Sequence, residues 1–398
     1  MVSEEPGRFF RDLQTDYSLA EQPMMERIVI LSRRNIMHPS AGGASVYVHE
    51  IFRRLADRYD ITVLSGSAEP SRPREIDGIS YVPINMPLIR AFLPVKYLLT
   101  FSKKADLLID NGDVGIPWCS PAYAKIPRIA IIHQLIKEIF YYEMPRLLAD
   151  FGHALEPLVY RLYRGTRIVS VSKSTAEDLY GFGVPRTNIS IIEPGCSNHN
   201  RRPSLEERST ATISCVCRLV RYKGLQFALH ILPDVMRKYP TIVLDVVGFG
   251  PYARELQEAA NDLGLSKNVH FHGKVVESHK FALYGRSRVA ILPSVREGYG
   301  LSVLEANSVG TPVVGWDVPG LRDSVLNDTT GFLARFPDTD AFASRIGTLL
   351  EEDGIWQNLS DNAWEWAQRH SWDSSATKFR AVIEDVLSTG QPRMNSFS

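Results

Sequence analysis

Short apolar runs alternate along this chain with longer stretches whose apolar positions recur every three to four residues, a βα alternation. Arg27–Leu31 (RIVIL) is a buried-strand signal, and the loop His38-Pro39-Ser40-Ala41-Gly42-Gly43 separates it from an amphipathic helix predicted over Val46–Ala56. Strand signals follow at Ile61–Leu64, Ile79–Val82, Asp106–Ile109, Arg128–Ile132, Arg167–Val171 and Ile189–Ile192. Ser174-Thr175-Ala176-Glu177 reads as a capping box that opens the helix after Val171. Strand, helix, strand with glycines at the first turn is how a doubly wound sheet begins. Taken alone, the Gly42-Gly43 loop serves equally well as a tight turn.

Asn198–Ser209 is polar and aperiodic, and carries Arg201, Arg202 and Pro203; beyond it the alternation restarts. Thr212–Val216 is a strand, followed by a helix running through Met236 and a strand over Ile242–Val247 that ends in Gly248-Phe249-Gly250. A helix over Tyr252–Leu263 and strands at Val269–His272 and Val289–Leu292 come next, then a helix from Leu301 to about Val309. Strands at Pro312–Val314 and Gly331–Leu333 precede helices over Ala341–Leu350, Asn358–Arg369 and Ala376–Leu387. The expected class is α/β, with two consecutive doubly wound halves. The division is a leader at residues 1–23, a first domain over 24–197, a linker over 198–209, a second domain over 210–371, and a last helix and tail over 372–398.

Length and charge narrow the function. A chain of 398 residues supports two domains, each with its own core. Its 45 basic residues balance 45 acidic ones, so no nucleic-acid partner is indicated. Cys119, Cys196, Cys215 and Cys217 are scattered and complete no zinc spacing, which suits reduced thiols in a cytoplasmic protein. The polar leader is not a signal peptide, and no apolar run approaches the roughly 20 residues that span a bilayer. Leu88–Lys104 is apolar with Arg90, Lys96, Lys103 and Lys104 interspersed. A surface helix with snorkelling basic residues is the favoured reading of it. The rival is a peripheral contact with the inner face of the membrane, which tilts the expected acceptor toward a membrane-proximal one.

Chemistry concentrates in Leu292–Thr311 (LPSVREGYGLSVLEANSVGT). A strand end, the turn Glu297-Gly298-Tyr299-Gly300 and a helix starting at Leu301 together aim backbone N–H groups at a phosphate. Glu297 and Glu305 bracket that turn, so a diphosphate there needs cations from elsewhere. Arg218 and Lys223 supply them, from the first loop of the second half and again at the carboxyl end of a strand. Loops at that edge of a parallel sheet converge, bringing Gly248 and Gly250 alongside. Glu305 is then placed to accept hydrogen bonds from a ribose diol, and Glu297 faces whatever the diphosphate carries. His133 ends the Arg128–Ile132 strand, at the edge where α/β folds hold ligands. Singly, each has a plain reading: a satisfied strand-end histidine, solvated surface charges, a loop cap or a helix-surface ion pair. His270 and His272 alternate on one strand, with no third ligand nearby in sequence; they read as structural, and no metal is expected.

The segments CRLVRYKG, VVGFGP and above all REGYGLSVLEANSVGTPVV resemble the retaining glycosyltransferases of the GT-B fold, family 4. That family's signature is two glutamates with seven residues between them, the spacing of Glu297 and Glu305. HPSAGGASVYVHEIFRRLA and IAIIHQ, which contains His133, are similar to the family as well. The resemblance implies two Rossmann-like domains facing across a cleft, the last helix after Trp372 crossing back to the first. It implies a UDP- or GDP-hexose donor held mainly by the second domain, a hydroxyl acceptor recognised by the first, and no cofactor. In its terms Arg218 and Lys223 match the diphosphate ligands, Glu305 the ribose ligand and Glu297 the contact to the sugar hydroxyls. Gly298, Tyr299, Gly300 and Leu301 form the donor turn. Gly43, beside Gly42, matches the loop closing on the phosphates, and His133 the histidine beside the transferred sugar. Ser45 departs from the pattern, since relatives with this loop commonly carry glutamate there. The expected activity is retaining hexosyl transfer; the alternatives are a GT-B phosphorylase, which needs a pyridoxal-phosphate lysine, and a catalytically silent nucleotide-sugar-binding protein.

Overall fold

The computed structural model describes residues 25–66, 72–84, 89–112, 115–197 and 202–390. The expected leader, the first residues of the expected linker (198–201), Leu88 and residues 391–398 lie outside them.

Two sheets organise the chain. Glu26–Arg34 pairs in parallel with Tyr59–Gly66 on one side and Leu107–Gly112 on the other. Neighbours on both edges and helices on both faces explain why Ile28–Leu31 is a continuous apolar run rather than an alternating one. The sheet holds eight strands in spatial order Arg74–Ile76, Ile79–Ile84, Tyr59–Gly66, Glu26–Arg34, Leu107–Gly112, Arg128–Ile132, Arg167–Ser170, Ile189–Ile191. The second sheet has six parallel strands: Val269–Gly273, Val243–Val247, Ser209–Val216, Ser287–Leu292, Val313–Trp316 and Gly331–Ala334. In each sheet the first strand in sequence lies inside, with the chain winding outward on both sides of it. The crevice beside such a switch point is where open α/β sheets bind ligands. The loops after Arg34, Val216 and Leu292 all open there.

Several local expectations are corrected. The first helix spans Gly43–Phe52 rather than starting at Val46, because the Gly42 carbonyl already accepts the Ser45 and Val46 amides at 2.9 and 3.1 Å. The helix after Val171 is capped by Ser172, whose Oγ accepts the Thr175 amide at 3.1 Å; Ser174 and Glu177 form no capping box. Backbone is still extended at Ser172, so helical turns begin at Lys173, and Glu177 pairs instead with Arg186. Arg74–Ile76 is an antiparallel strand that periodicity did not reveal. Its signal was the Asp77-Gly78 dipeptide, whose φ values of 50° and 76° make the left-handed hairpin turn that this pair favours. Helices Arg146–Arg161 and Glu277–Arg286 were not foreseen either.

The last helix, Trp372–Thr389, returns to the first sheet and packs on Gly43–Phe52. Phe52 and Phe379 meet edge to face at 5.1 Å, both wholly buried, and Arg54 reaches Asp373 at 2.5 Å. Burying one such phenylalanine contributes about 1.5–3 kcal/mol. Gly195 makes the crossing feasible, since a Cβ there would lie 2.2 Å from the Trp372 amide nitrogen. Tyr299 and Leu304, from the second half, join this same first-sheet core.

Candidate active site

A cavity of about 120 Å³ lies where the two sheets face each other. Gly42 and Gly43, His133, Arg218 and Lys223, and the turn Glu297-Gly298-Tyr299-Gly300-Leu301 all line it. Gly250 instead lines an adjoining cavity of about 400 Å³, which shares Arg34, Arg218 and Tyr222 with the first. Gly248 and Glu305 line neither of these two cavities, but both are part-exposed, the Glu305 side chain by 16%. Gly248 is structural in this geometry: its φ is 144°, and a Cβ would lie 1.8 Å from the Cys217 carbonyl oxygen.

Lys223 owes its position to a tight fit. It closes the short turn Arg221–Lys223, and Gly224 follows in a left-handed conformation with φ 72°. A Cβ on Gly224 would fall 1.9 Å from the Pro293 carbonyl oxygen, so the loop lies flat against the end of the neighbouring strand. Lys223 Nζ then sits 2.6 Å from both carboxylate oxygens of Glu297. The two side chains are 13% and 9% exposed. Burial, the largest influence, would depress the lysine pKa, but the charge and hydrogen bond of Glu297 together with Tyr222 outweigh it and hold Lys223 above the ordinary lysine range. The cation is therefore permanent at neutral pH. Arg218 Nη2 donates to the Tyr222 hydroxyl at 2.6 Å, which aims the guanidinium along the shared wall.

The facing side is held as firmly. His133 Nε2 and Asn111 Oδ1 are 2.8 Å apart, and the imidazole meets Tyr47 edge-on at 5.2 Å. Gly298 passes directly over this strand end, where a Cβ would come within 2.3 Å of the His133 carbonyl oxygen. Tyr299 anchors the turn: its buried hydroxyl lies 2.9 Å from His370 Nε2. The helix Leu301–Asn307 is only seven residues long, so its contribution is that of its first-turn amides rather than a long macrodipole.

Three important residues escaped sequence reasoning. Lys280, on the helix Glu277–Arg286, pairs with Glu305 at 2.6 Å. Burial nevertheless raises the Glu305 pKa by more than Lys280 lowers it. Arg296, only 2% exposed, reaches across the cleft to Glu138 and Asp178, at 2.7 Å each. Arg34 lines both cavities. Nothing in local periodicity marks any of the three: Lys280 and Arg296 pair with residues distant in sequence, and Arg34 donates to the Ser40 carbonyl at 3.0 Å. The Glu143 carboxylate adds a further cross-cleft bond, accepting the Tyr222 amide at 3.1 Å.

The histidines on Val269–Gly273 do find a third group, from the neighbouring strand. His270, His272 and the buried Asp245 bring their ligand atoms within 4.8 Å of one another. Asp245 already receives His272 Nε2 at 2.7 Å and Arg286 at 2.5 Å, and these partners lower its pKa despite its burial. That cation answers the carboxylate charge. Cys215 and Cys217 have Sγ atoms 3.9 Å apart and both are free thiols.

Residues 197–366 match the family described as glycosyl transferases group 1, and residues 41–198 match Glycosyltransferase Family 4. The D-inositol 3-phosphate glycosyltransferase of Corynebacterium urealyticum is 28% identical over 228 residues, covering 52% of this chain and 54% of that protein. The namesake from Acidothermus cellulolyticus is 27% identical over 389 residues, covering 87% and 86%. A GDP-mannose-dependent alpha-(1-6)-phosphatidylinositol monomannoside mannosyltransferase of Mycolicibacterium smegmatis is 33% identical, covering 46% and 53%. Apart from the Acidothermus protein, the chain spans about half the length of these relatives. Among solved structures, sucrose-phosphate synthase from Thermosynechococcus elongatus superposes with a TM-score of 0.77 at 20% identity, covering 92% of this chain and 100% of that one. HepE from Anabaena, solved with UDP-glucose, gives 0.72 at 18% identity over 90% and 99%. Two doubly wound sheets facing across a glycine-lined cleft, with both halves matched in sequence, place this chain in the family 4 glycosyltransferases (glycosyl transferases group 1) of the GT-B fold.

Proposed function

We propose that the chain transfers a hexosyl unit from a UDP- or GDP-hexose to a hydroxyl of its acceptor, with retention at the anomeric carbon. The observation that carries this reading is the Lys223–Glu297 pair facing Arg218 in the cleft. A nucleoside diphosphate is already a good leaving group and needs no general acid. What its departure needs is fixed positive charge, which Lys223 and Arg218 supply without reorganisation. Glu297 keeps that ammonium charged and aimed, and reads the sugar hydroxyls beside it. Glu305 holds the ribose diol, with Lys280 limiting the cost of its burial. Each glutamate is engaged by its own lysine, and only Glu297 reaches the cavity wall. The two are thus unsuited to flank one carbon as the carboxylates of a retaining glycosidase do. Retention then follows from front-face substitution, with the leaving phosphate taking the acceptor proton. His133 stands beside the transferred sugar.

Two names among the relatives support the donor class: one is GDP-mannose-dependent, and another structure holds UDP-glucose. The larger cavity, with Arg33, Arg34 and Arg218 in its wall, suits an acceptor bearing an anionic group. A cavity of about 120 Å³ is smaller than the roughly 300–1,000 Å³ of small-molecule sites, so donor entry requires the cleft to open.

Thermal denaturation against a panel of nucleotide sugars tests the donor. At a hundred times its Kd, a ligand adds about 2.7 kcal/mol, several degrees for a domain of this size. One UDP- or GDP-hexose is expected to shift the transition and to release its nucleotide when an acceptor is added. No shift and no release with any of them sinks the reading, and an NMR product of inverted configuration removes retention.

Glu305 adds a pH signature. Its raised pKa means that it protonates, as pH falls, before an ordinary glutamate near pH 4.3 does. A protonated carboxyl is a poorer partner for the ribose diol, so UDP or GDP affinity is expected to fall as pH drops through that raised pKa. Isothermal titration should show Glu305→Gln binding about ten- to a hundredfold more weakly at neutral pH, with this part of the pH dependence flattened. An unchanged profile in the variant would take the ribose role from Glu305.

A further inference from the structure

Helix Arg146–Arg161 turns one face to the first sheet: Ala149, Glu156 and Tyr160 are wholly buried, and Glu156 accepts the amides of Ile136 and Lys137 at 2.6 and 2.9 Å. Its opposite face is apolar and in water. Leu147, Leu148, Phe151, Leu155, Leu158 and the following Leu162 are all exposed, Leu147 by 85% and Phe151 by 67%. At 3.6 residues per turn these six fall within about 100° of arc, the width of a face built to be covered.

The helix Ile89–Thr100 repeats the pattern, with Phe92, Val95, Leu98 and Leu99 exposed. Both helices cover the same side of the eight-stranded sheet. Leu93 and Tyr97 pack with Leu31 and Leu108, and Tyr160 packs with Ala130 and Ile132, while the alternate residues Ile30, Ile109 and Ile131 face the other way. The side chains that border these arcs are basic. Lys96, Lys103 and Lys104 are exposed in a stretch, 89–105, without an acidic residue, and Arg146, Arg161 and Arg164 are exposed on the other helix. Asp150 is the exposed acid there, and it accepts the Tyr141 hydroxyl at 3.1 Å.

We propose that this two-helix face docks on an anionic bilayer surface, its apolar arcs entering the interface and its lysines and arginines meeting lipid phosphates. Apolar arcs bordered by basic side chains are the pattern of helices that lie in a membrane interface. An exposed apolar face of this extent is otherwise uncommon on a soluble domain. The face also leads somewhere: Ile139, Phe140 and Met144, just before the helix, line the 400 Å³ cavity of the cleft. Docking would set the mouth of that cavity at the lipid surface. Among the described residues no helix is long and apolar enough to cross a membrane, so the contact is peripheral. The inference moves the centre of membrane contact from Leu88–Lys104 to Arg146–Arg161 and stands independently of the donor reading.

Co-sedimentation of the full chain with vesicles tests it without substrate. Binding is expected to vesicles of equimolar phosphatidylcholine and phosphatidylglycerol, to weaken with salt, and to be far weaker on phosphatidylcholine alone. Leu147→Gln, Phe151→Gln and Leu158→Gln together should lower partitioning by roughly tenfold or more, with the melting temperature unchanged because all three are exposed. Arg146→Gln with Arg161→Gln should lower it on anionic vesicles only. Absence of binding, equal binding to both vesicle types, or binding that survives the triple change overturns the proposal. So does a dimer in sedimentation velocity that the triple change dissolves, since the face would then belong to a second copy.

Discussion

Replacing Gly298 by alanine is expected to lower turnover about a hundredfold while the fold stays intact. The new Cβ would lie 2.3 Å from the His133 carbonyl oxygen and 3.1 Å from its carbon. Carbon and oxygen approach no closer than about 3.3 Å even in weak C–H···O contacts, so the two backbones must part by about 1 Å. Both are main chain, and the obstruction cannot be swung aside as a flexible side chain could. The contact joins the carboxyl end of the Arg128–Ile132 strand to the 297–301 turn. The displacement therefore opens the cleft rather than loosening either core. A misplacement of that size costs about a hundredfold in rate. Gly298 does not have a positive φ, so alanine meets no left-handed strain there, and the entropy it removes from the unfolded chain offsets part of the lost contact. Steady-state kinetics should show the loss in kcat, with a melting temperature within a few degrees of the parent. Wild-type kcat would show that the cleft closes less tightly in turnover than in this structure.

Lys223→Ala is expected to be the more damaging change, because it strikes stability and chemistry together. Removing the ammonium leaves the Glu297 carboxylate, 9% exposed, facing Arg218 and Tyr299 without its own cation. Breaking a buried pair in this way costs about 3–5 kcal/mol, and the lower end applies here because both side chains keep some contact with water. Transfer should fall by about a thousandfold or more, since a fixed charge at a departing group is worth several kcal/mol. Adding Glu297→Gln to Lys223→Ala separates the two effects: stability should return and activity should not. The pH dependence has a definite sign. The folded-state pKa of Lys223 is raised, so the pair's contribution is complete below the ordinary lysine range near 10.4 and is lost as pH rises through the higher folded value. Urea unfolding should keep parent and variant apart at neutral pH and let them converge only above that range. Equal stability at neutral pH would mean that the pair is neutral in net energy.

The legibility of this chain was uneven, for physical reasons. Parallel strands buried on both faces leave apolar runs, so the doubly wound halves were visible from Arg27–Leu31 and Ile242–Val247 onward. Loops at strand ends converge by topology, so Gly43, His133, Arg218, Lys223 and the 297–301 turn could be expected at one place, and one cavity holds them. Gly248 and Glu305 carry the same kinds of signal yet do not line that cavity, because spacing does not record which way a residue faces. Pairing across distant segments was hidden: Lys280 beneath Glu305 and Arg296 between Glu138 and Asp178 become visible only once the helices are placed. The helix Arg146–Arg161 also went unforeseen, and the apolar positions Leu147–Leu162 that give it helical periodicity face water rather than a core.

Tyr299 carries one more consequence. Its neighbours Gly298 and Gly300 belong to the cavity-lining turn of the second half, while its ring shares an apolar cluster with Cys196 and Trp372 and its hydroxyl meets His370. The halves of this chain are thus unlike interchangeable cassettes. A chimera that joined its second half to a relative's first half would carry Tyr299, His370 and Trp372 together and exchange only the wall that Cys196 supplies. Recombination within the family therefore has to match that first-half wall to the ring, and the 297–301 turn would be the first part to shift where it does not.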